Sequence, residues 1–435
     1  MFVTGLSHGF HDAAICYIEG NKILGAHHSE RHTGIKNDRN LHNAKIKGKS
    51  VFYEKPFKKN IRRVLYGQSW KQRPVYDHYV NHHWSHAAAA YYTRPYEEEP
   101  VCVVIDAIGE WDTASIWYKK NKKWSMKYPK SLGLFYSAIT KAIGLKPNED
   151  EYITMGMAAY GNPHIKIDPY NNYHKGIFLQ RELLDNDIAA SAQAIIEREI
   201  IKIMTRARKY SRYLCYGGGV ALNCVANTKV HSMFDKMWIL PNPGDAGSSL
   251  GAAAAYLDKQ LNWIDPYLGT DIKRHVNVKE VVRYLIDNSY CGIANGRAEF
   301  GPRALGNRSL IADPRKDIKD TVNQIKRRQK FRPFAPAILE EFADEYFEGP
   351  MNEYMQYVAK AKHDHKSVTH VDGTARVQVV KKDCRSVIRP ILEEWYEHTK
   401  CPMLLNTSLN IKGKPIVDNL RQAKGFEKIY GVKVF

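Results

Sequence analysis

The chain has 435 residues, with 65 Lys or Arg against 46 Asp or Glu, a formal charge of +19 with histidines neutral. A 44% hydrophobic and 26% charged composition excludes a disordered or fibrous chain, and no apolar run reaches the roughly 18–20 residues that span a bilayer. The charge excess points to nucleic acid, a phosphorylated substrate or an anionic surface, and composition alone does not choose among them.

The N-terminal MFVTGLSHGFHDAA has neither the basic start nor the long apolar stretch of a secretory leader. Seven cysteines, odd in number and without a C-x-x-C pair, read as buried thiols of a reduced, cytoplasmic chain. Residues 1–28 read as three short strands, FVTGLSH, AAICYIE and KILGAHH, with His11-Asp12 and Gly20-Asn21 at the turns. The layout returns near residue 101 as VCVVIDA, TASIWY and KWSMKY, with Gly109 and Asn121-Lys122 at the turns. Two such meanders about 100 residues apart predict an internally duplicated α/β domain. The actin/hexokinase/Hsp70-like fold opens each half in this way and holds a nucleotide or metal in the cleft between halves.

Between the repeats lie a strand candidate at Val51–Tyr53 and the alanine-rich helix HHWSHAAAAYY. After the second meander the pattern predicts a helix over about 184–210 and a strand at Tyr213–Tyr216 with a glycine turn. A strand at Met237–Leu240 then leads through PNPGDAG to a helix over Ser248–Leu261. A composition shift around 262–280 marks the predicted boundary. It divides the chain into 1–268, with halves of about 1–100 and 101–268, and a C-terminal domain over 269–435.

His82 and His86 stand at i and i+4 on the predicted helix, so both imidazoles project from one face and can hold one metal; a lone pair of this kind is more often a surface pair. Asp106 strengthens the metal reading because it ends an apolar strand, where α/β ligands bind. Asp245 follows another strand in the same way, and its alternative role is to cap the next helix. Two His and two Asp suit Fe(II), Mn or Zn. In CYGGGVALNCVAN, a strand followed by Gly217, Gly218 and Gly219 and a helix places backbone N–H groups at a helix N-terminus, suited to a phosphate; a tight strand–helix turn explains the glycines equally well. Arg303, Arg308, Arg332 and Arg376 each lie near Gly, Pro or Asn loop residues, and together they read as an oxyanion clamp rather than four solvated side chains. From Lys45 to Arg73 there are ten Lys or Arg and one acid, Glu54, interleaved with Phe52, Tyr53, Phe57, Tyr66 and Trp70. That mixture suits nucleic-acid contact, against the plain alternative of a solvated charged face.

Taken together, HHWSHAAAAYY, VIDAIGEWDTASIW, SLGLFYSAIT, MGMAAYG, GGGVALNCVAN, PNPGDAG, GRAEFGPRALGNRS, FRPFAP, HVDGTARVQ and NTSLN resemble the motifs of the O-carbamoyltransferases of nodulation-factor, cephamycin and aminoglycoside tailoring. They run in family order over nearly the whole chain. The resemblance implies a duplicated N-terminal domain like that of the universal tRNA threonylcarbamoyl-transferase, followed by a smaller YrdC-like α/β domain. It implies that ATP and carbamoyl phosphate give carbamoyl-adenylate in the C-terminal domain, and that the N-terminal domain moves the carbamoyl group to an acceptor hydroxyl. By the same resemblance His82, His86, Asp106 and Asp245 are the metal ligands, with Fe(II) the leading choice and Mn, Zn or Mg as alternatives. His11, beside Asp12, matches a histidine that is a candidate general base. Gly217, Gly218, Gly219 and Asn223 match the nucleotide loop, and Arg303, Arg308, Arg332, Arg376, Ser408 and Asn410 match loops that bind ATP or carbamoyl phosphate. A homodimer is compatible with it.

The chain departs from the family pattern at Ile153, where a lysine is common, and at Leu409 in NTSLN; it also reads as short, with peripheral segments missing, as in a reduced, viral version acting in a host cytoplasm. Two acceptors compete: a small metabolite such as a sugar or aminoglycoside, and a hydroxymethyl-pyrimidine in DNA. The +19 charge and the basic-aromatic stretch favour DNA, with Lys58, Lys59, Arg62 and Arg63 as the expected backbone contacts. A non-catalytic nucleic-acid-binding protein on this scaffold is the reading from another class, and the intact set of two His and two Asp counts against it.

Overall fold

The computed structural model describes residues 1–42, 44–179 and 182–435. The chain divides into two compact units, one formed by Met1–Ser29 and Arg39–Ile264, the other by Glu30–Asp38 and Asp265–Phe435. Among the described residues no helix is long and apolar enough to cross a membrane.

The first unit is built twice over. Its first half contains strands β1 (Phe2–Ser7), β2 (Ala14–Glu19), β3 (Lys22–His28), β4 (Lys49–Phe52) and β5 (His78–Tyr79) in the order β3-β2-β1-β4-β5. Its second half contains β6 (Val101–Ile105), β7 (Asp112–Tyr118), β8 (Asn121–Lys127), β9 (Tyr213–Gly217) and β10 (Lys236–Ile239) in the order β8-β7-β6-β9-β10. In both, the opening meander is antiparallel and the last two strands join it in parallel. This is the duplicated actin/hexokinase/Hsp70-like architecture that the two meanders predict. Central strands carry unbroken apolar runs, VCVVI in β6 being buried throughout, whereas the edge strand β8 (NKKWSMK) carries lysines that discourage further pairing. The two-residue β5 was not legible in the sequence, because both residues are exposed and show no alternation.

Each half ends in a helix with four consecutive alanines, His82–Tyr91 in the first and Ser248–Leu257 in the second. The small side chains let the two helices meet closely. A Cβ at Gly251 would lie 1.8 Å from the Ser85 carbonyl oxygen, and one at Gly5 would lie 1.9 Å from that of Ser249. The second helix stops at Asp258, in the left-handed conformation, rather than running to Leu261; the Asp258 N–H closes the last turn on the Ala254 carbonyl. The predicted helix over 184–210 is Asp185–Arg208, and its buried face (Ile188, Ile195, Ile196, Ile200, Ile203) joins the core over β6 and β9. Ile153 is buried in a short helix, Glu151–Met157.

The second unit is α/β as well. Its main sheet runs Tyr290–Ala294, Arg308–Ala312, Met403–Ser408, Ala335–Leu339, Gln378–Val380, antiparallel except for the last pair. Alternation along the strands sorts the core onto two faces: Ile293, Ile311 and Leu404 pack with Leu285 and Trp395 of the helices Val278–Asn288 and Ile388–Thr399, while Ala294, Leu310 and Leu405 pack with Ala423 and Phe426 of the helix Leu420–Tyr430. The segment Glu30–Asp38 is tied in by Arg31, whose guanidinium donates to Gly301 O at 3.0 Å and whose carbonyl accepts from Gln422 at 3.0 Å.

Candidate functional site

In the first unit His82, His86, Asp106 and Asp245 converge, with one donor atom from each inside a sphere of contacts no longer than 4.8 Å. His82 Nε2 lies 3.0 Å from Asp106 Oδ2, 3.1 Å from His86 Nε2 and 3.6 Å from Asp245 Oδ1. His86 Nε2 lies 3.2 Å from Asp245 Oδ1. His86 Nδ1 faces the Pro243 carbonyl at 3.0 Å; that carbonyl can only accept, so Nδ1 carries a hydrogen and Nε2 is the atom turned to the cluster. Asp245 does not cap the following helix: that helix has no side-chain cap, and the carboxylate faces the histidines.

Burial works against charge here, yet the histidines hold the Asp106 and Asp245 carboxyls below their usual range. Burial likewise opposes protonation of His86, but its hydrogen bonds to the Asp106 and Asp245 carboxylates push it up to about 10. A buried pair of carboxylates thus demands a positive charge between the rings. A divalent cation meets that demand with a borderline N/O donor set, and the donors fit one.

Surrounding residues hold the cluster in shape. Gly219 N–H donates to Asp106 Oδ1 at 3.1 Å, and Gly218, at φ +90°, donates to Pro243 O at 2.9 Å. A Cβ at Gly218 would meet Ile105 O at 2.3 Å and one at Gly217 would meet His86 O at 3.0 Å. The glycine turn was expected to offer N–H groups to a nucleotide; here the Gly218 and Gly219 N–H groups are bonded to Pro243 O and Asp106 Oδ1. Asn223 is likewise engaged: its Oδ1 caps the helix Cys224–His231 at Ala226 N, and its amide pairs with Gln193. Glu110, not singled out in the sequence, is buried and accepts from Lys55 N at 2.7 Å, from His82 N at 3.1 Å and from the Asn81 amide. Its position four residues past Asp106 was the available signal. His11 lies in the loop after β1, its ring 29% exposed, with Nδ1 2.9 Å from Asp12 Oδ2. Burial would lower its pKa, but the Asp12 hydrogen bond and the Asp245 and Asp106 charges prevail and push it up to about 9.

The second unit gathers only part of the expected clamp. Arg308 is fully buried and its five N–H groups reach five backbone carbonyls, those of Asp418, Asn295, Asn307, Thr270 and Gly296. It is therefore a structural tie and leaves no donor for a phosphoryl oxygen. Ser408 and Asn410 do converge, but around a residue that sequence reasoning missed. Lys326 Nζ reaches Asn410 O and Oδ1 at 3.0 Å, Ser408 Oγ at 3.3 Å and the Ser408 carbonyl. Burial, with Arg328 and Arg332 nearby, holds this ammonium well below its ordinary range. In KRRQK it reads as one more surface cation. Arg303 and Arg376 are half-buried in loops of the same unit.

The basic stretch is also more divided than its composition suggests. Lys58 is exposed, Lys59 binds both oxygens of Glu54 at 2.9 Å, Arg62 is buried with its guanidinium 5.3 Å from the Tyr128 ring centre, and Arg63 donates to Ser69 O at 3.0 Å. Of these four, Lys59 is paired with Glu54 and Arg62 serves the packing of the unit itself.

A family model described as the carbamoyltransferase N-terminus matches residues 43–182 and 172–254, and one described as the carbamoyltransferase C-terminus matches 282–433. An uncharacterised protein of Synechocystis sp. is 30% identical over 95% of this chain and 92% of its own. That alignment runs over 570 positions against 435 residues, so the relative carries insertions that this chain lacks. Nodulation protein NolO of Bradyrhizobium diazoefficiens is 31% identical over 79% of this chain and 75% of its own. Among solved structures, T. kodakarensis HypF aligns with 60% of this chain and 48% of its own at 12% identity and a TM-score of 0.37.

Proposed function

Because the chain belongs to the carbamoyltransferase family and is itself a carbamoyltransferase, we propose that it is an ATP-dependent O-carbamoyltransferase, which takes the carbamoyl group of carbamoyl phosphate through carbamoyl-adenylate to an acceptor hydroxyl. The convergence of His82, His86, Asp106 and Asp245 carries the proposal, since a non-catalytic scaffold has no need of a buried cation-demanding cluster. In this reading 1–268 is the transfer domain and 269–435 the YrdC-like, adenylate-forming domain.

His82, His86, Asp106 and Asp245 would hold the cation, Fe(II) by preference, and a bound cation supplies positive charge for a nucleotide phosphate. Asp12 fixes the His11 ring through Nδ1 and leaves Nε2 for the acceptor. The charges of Asp106 and Asp245 add to the Asp12 hydrogen bond in holding the His11 proton; a cation at the cluster would weaken that pull, and Nε2 would then serve as the base for the acceptor hydroxyl. In the second domain Lys326 holds Ser408 and Asn410 in place, and Arg328 and Arg332 beside it offer cations to ATP and carbamoyl phosphate, with Arg303 and Arg376 as further partners. The net +19 charge supports a polyanionic acceptor, and we take this to be a hydroxymethyl-pyrimidine in DNA.

Hydroxymethylcytosine-containing DNA, ATP and carbamoyl phosphate incubated with the protein should give the carbamoylated nucleoside by mass spectrometry. His82→Ala should abolish that product while pyrophosphate release persists. Product on a neutral sugar alcohol but none on DNA would replace the DNA reading with a small-molecule one.

A further inference from the structure

A cleft of about 420 Å3 opens in the first unit, walled by the loop after β1, the end of β4 and the β4–β5 connection. Four of its lining side chains are cations, Lys59, Arg63, Lys71 and Arg73, and one is a carboxylate, Glu54. Both Glu54 oxygens bind Lys59, so the lining offers no carboxylate to the other three. Burial and the nearby Arg63, Lys59 and Arg39 hold the Lys71 ammonium below its ordinary range. Like charges held together in this way favour an anion among them.

The cations are positioned rather than draped. Buried Asn60 donates to Lys71 O at 2.8 Å and accepts from Lys71 N at 3.1 Å, which pins the loop that presents Lys71 and Arg73. Beside them Phe57 and Trp70 meet edge to face with ring centres 6.0 Å apart and about half of each exposed, an apolar patch next to the charges. The cleft also borders the reaction centre. Glu54 Oε2 lies 3.9 Å from His82 Nδ1, and His8 and Gly9 of the lining belong to the loop that carries His11.

We propose that this cleft is a phosphate site for the acceptor: Arg63, Lys71 and Arg73 bind a phosphate attached to the hydroxyl-bearing group, and thereby set that hydroxyl at His11. The inference rests on the O-carbamoyl-transfer reading above, and it does not require that the acceptor be DNA. A phosphodiester of a nucleic acid and a phosphomonoester of a nucleotide share the chemistry.

The test gives the full chain ATP, carbamoyl phosphate and one hydroxyl in three settings: 5-hydroxymethyl-2′-deoxycytidine, its 5′-monophosphate, and a short DNA strand containing it. The nucleoside should have a KM at least about tenfold above that of a phosphorylated form. Lys71→Ala combined with Arg73→Ala should close that gap by raising the KM of the phosphorylated forms at unchanged kcat, and Lys71→Arg should keep it. A gap for the strand alone assigns a phosphodiester, and a gap for the monophosphate as well assigns a phosphomonoester. Equal KM values for all three would overturn the proposal. If none is carbamoylated, the acceptor reading fails on its own, and calorimetry with the monophosphate decides the cleft. Binding about tenfold tighter to the wild type than to the double variant sustains it, and equal affinity overturns it.

Discussion

The two halves of the first unit share one strand order, yet their equivalent parts do different work. After its last strand each half enters an alanine-rich helix, and aligning HAAAAY with GAAAAY sets His86 against Gly251. Where one helix carries an imidazole of the His/Asp cluster, the other carries no side chain, because a Cβ there would strike the Ser85 carbonyl. The connection from β9 to β10 starts with glycines turned inward to hold Asp106, whereas that from β4 to β5 stays outside and lines a charged cleft. Duplication supplies a symmetric frame, and a few residues at equivalent positions break the symmetry into a His/Asp-cluster side and a surface side.

Breaking the asymmetry at its centre should have the largest effect. His86→Ala removes a ligand and leaves Asp106 and Asp245 short of a partner; metal content and transfer from synthetic carbamoyl-adenylate should each fall on the order of a hundredfold or more, by elemental analysis and product assay. Gly251→Ala tests the other side of the pair. The added methyl must push the helices apart, so urea unfolding should show a loss of about 1–3 kcal/mol together with weaker metal retention. Glu110→Gln sharpens the comparison, since this carboxylate ties Lys55, at the start of the outer connection, to the helix bearing His82. One buried acceptor is lost, for about 1–2 kcal/mol in the same unfolding experiment, with partial metal loss. Lys58→Ala should change stability by less than about 0.5 kcal/mol and leave metal content intact, because Lys58 is exposed on the outer connection. A large effect there would mean that the outer connection is not merely surface.

Much of this arrangement was legible beforehand. The period-two strands, the i, i+4 histidines and aspartates at strand ends are local patterns, and such patterns directly state which face a residue takes. The convergence of His82, His86, Asp106 and Asp245 followed because each sits at a position that the topology itself brings to the mouth of a sheet. The arginines were less legible. Arg308 and Arg303 share one glycine-bounded loop and look alike in sequence, but Arg308 alone meets the carbonyls of Asp418 and Thr270, which come from distant parts of the chain. Lys326 is the converse case, a cation in a basic run that becomes buried because Ser408 and Asn410 close around it.

The sequence by itself determined the family, the duplicated α/β architecture and the residues that converge in the His/Asp cluster, since these depend on spacing and on motifs that neighbouring residues complete. Only the tertiary structure decided which polar groups are already satisfied. It turned Gly218, Gly219, Asn223, Arg62 and Arg308 inward, and it left Arg63, Lys71 and Arg73 around a cleft whose carboxylate, Glu54, is taken by Lys59. The physical reason is that a donor's availability depends on the acceptors that folding brings to it. Those acceptors lie far along the chain, where no local pattern reaches.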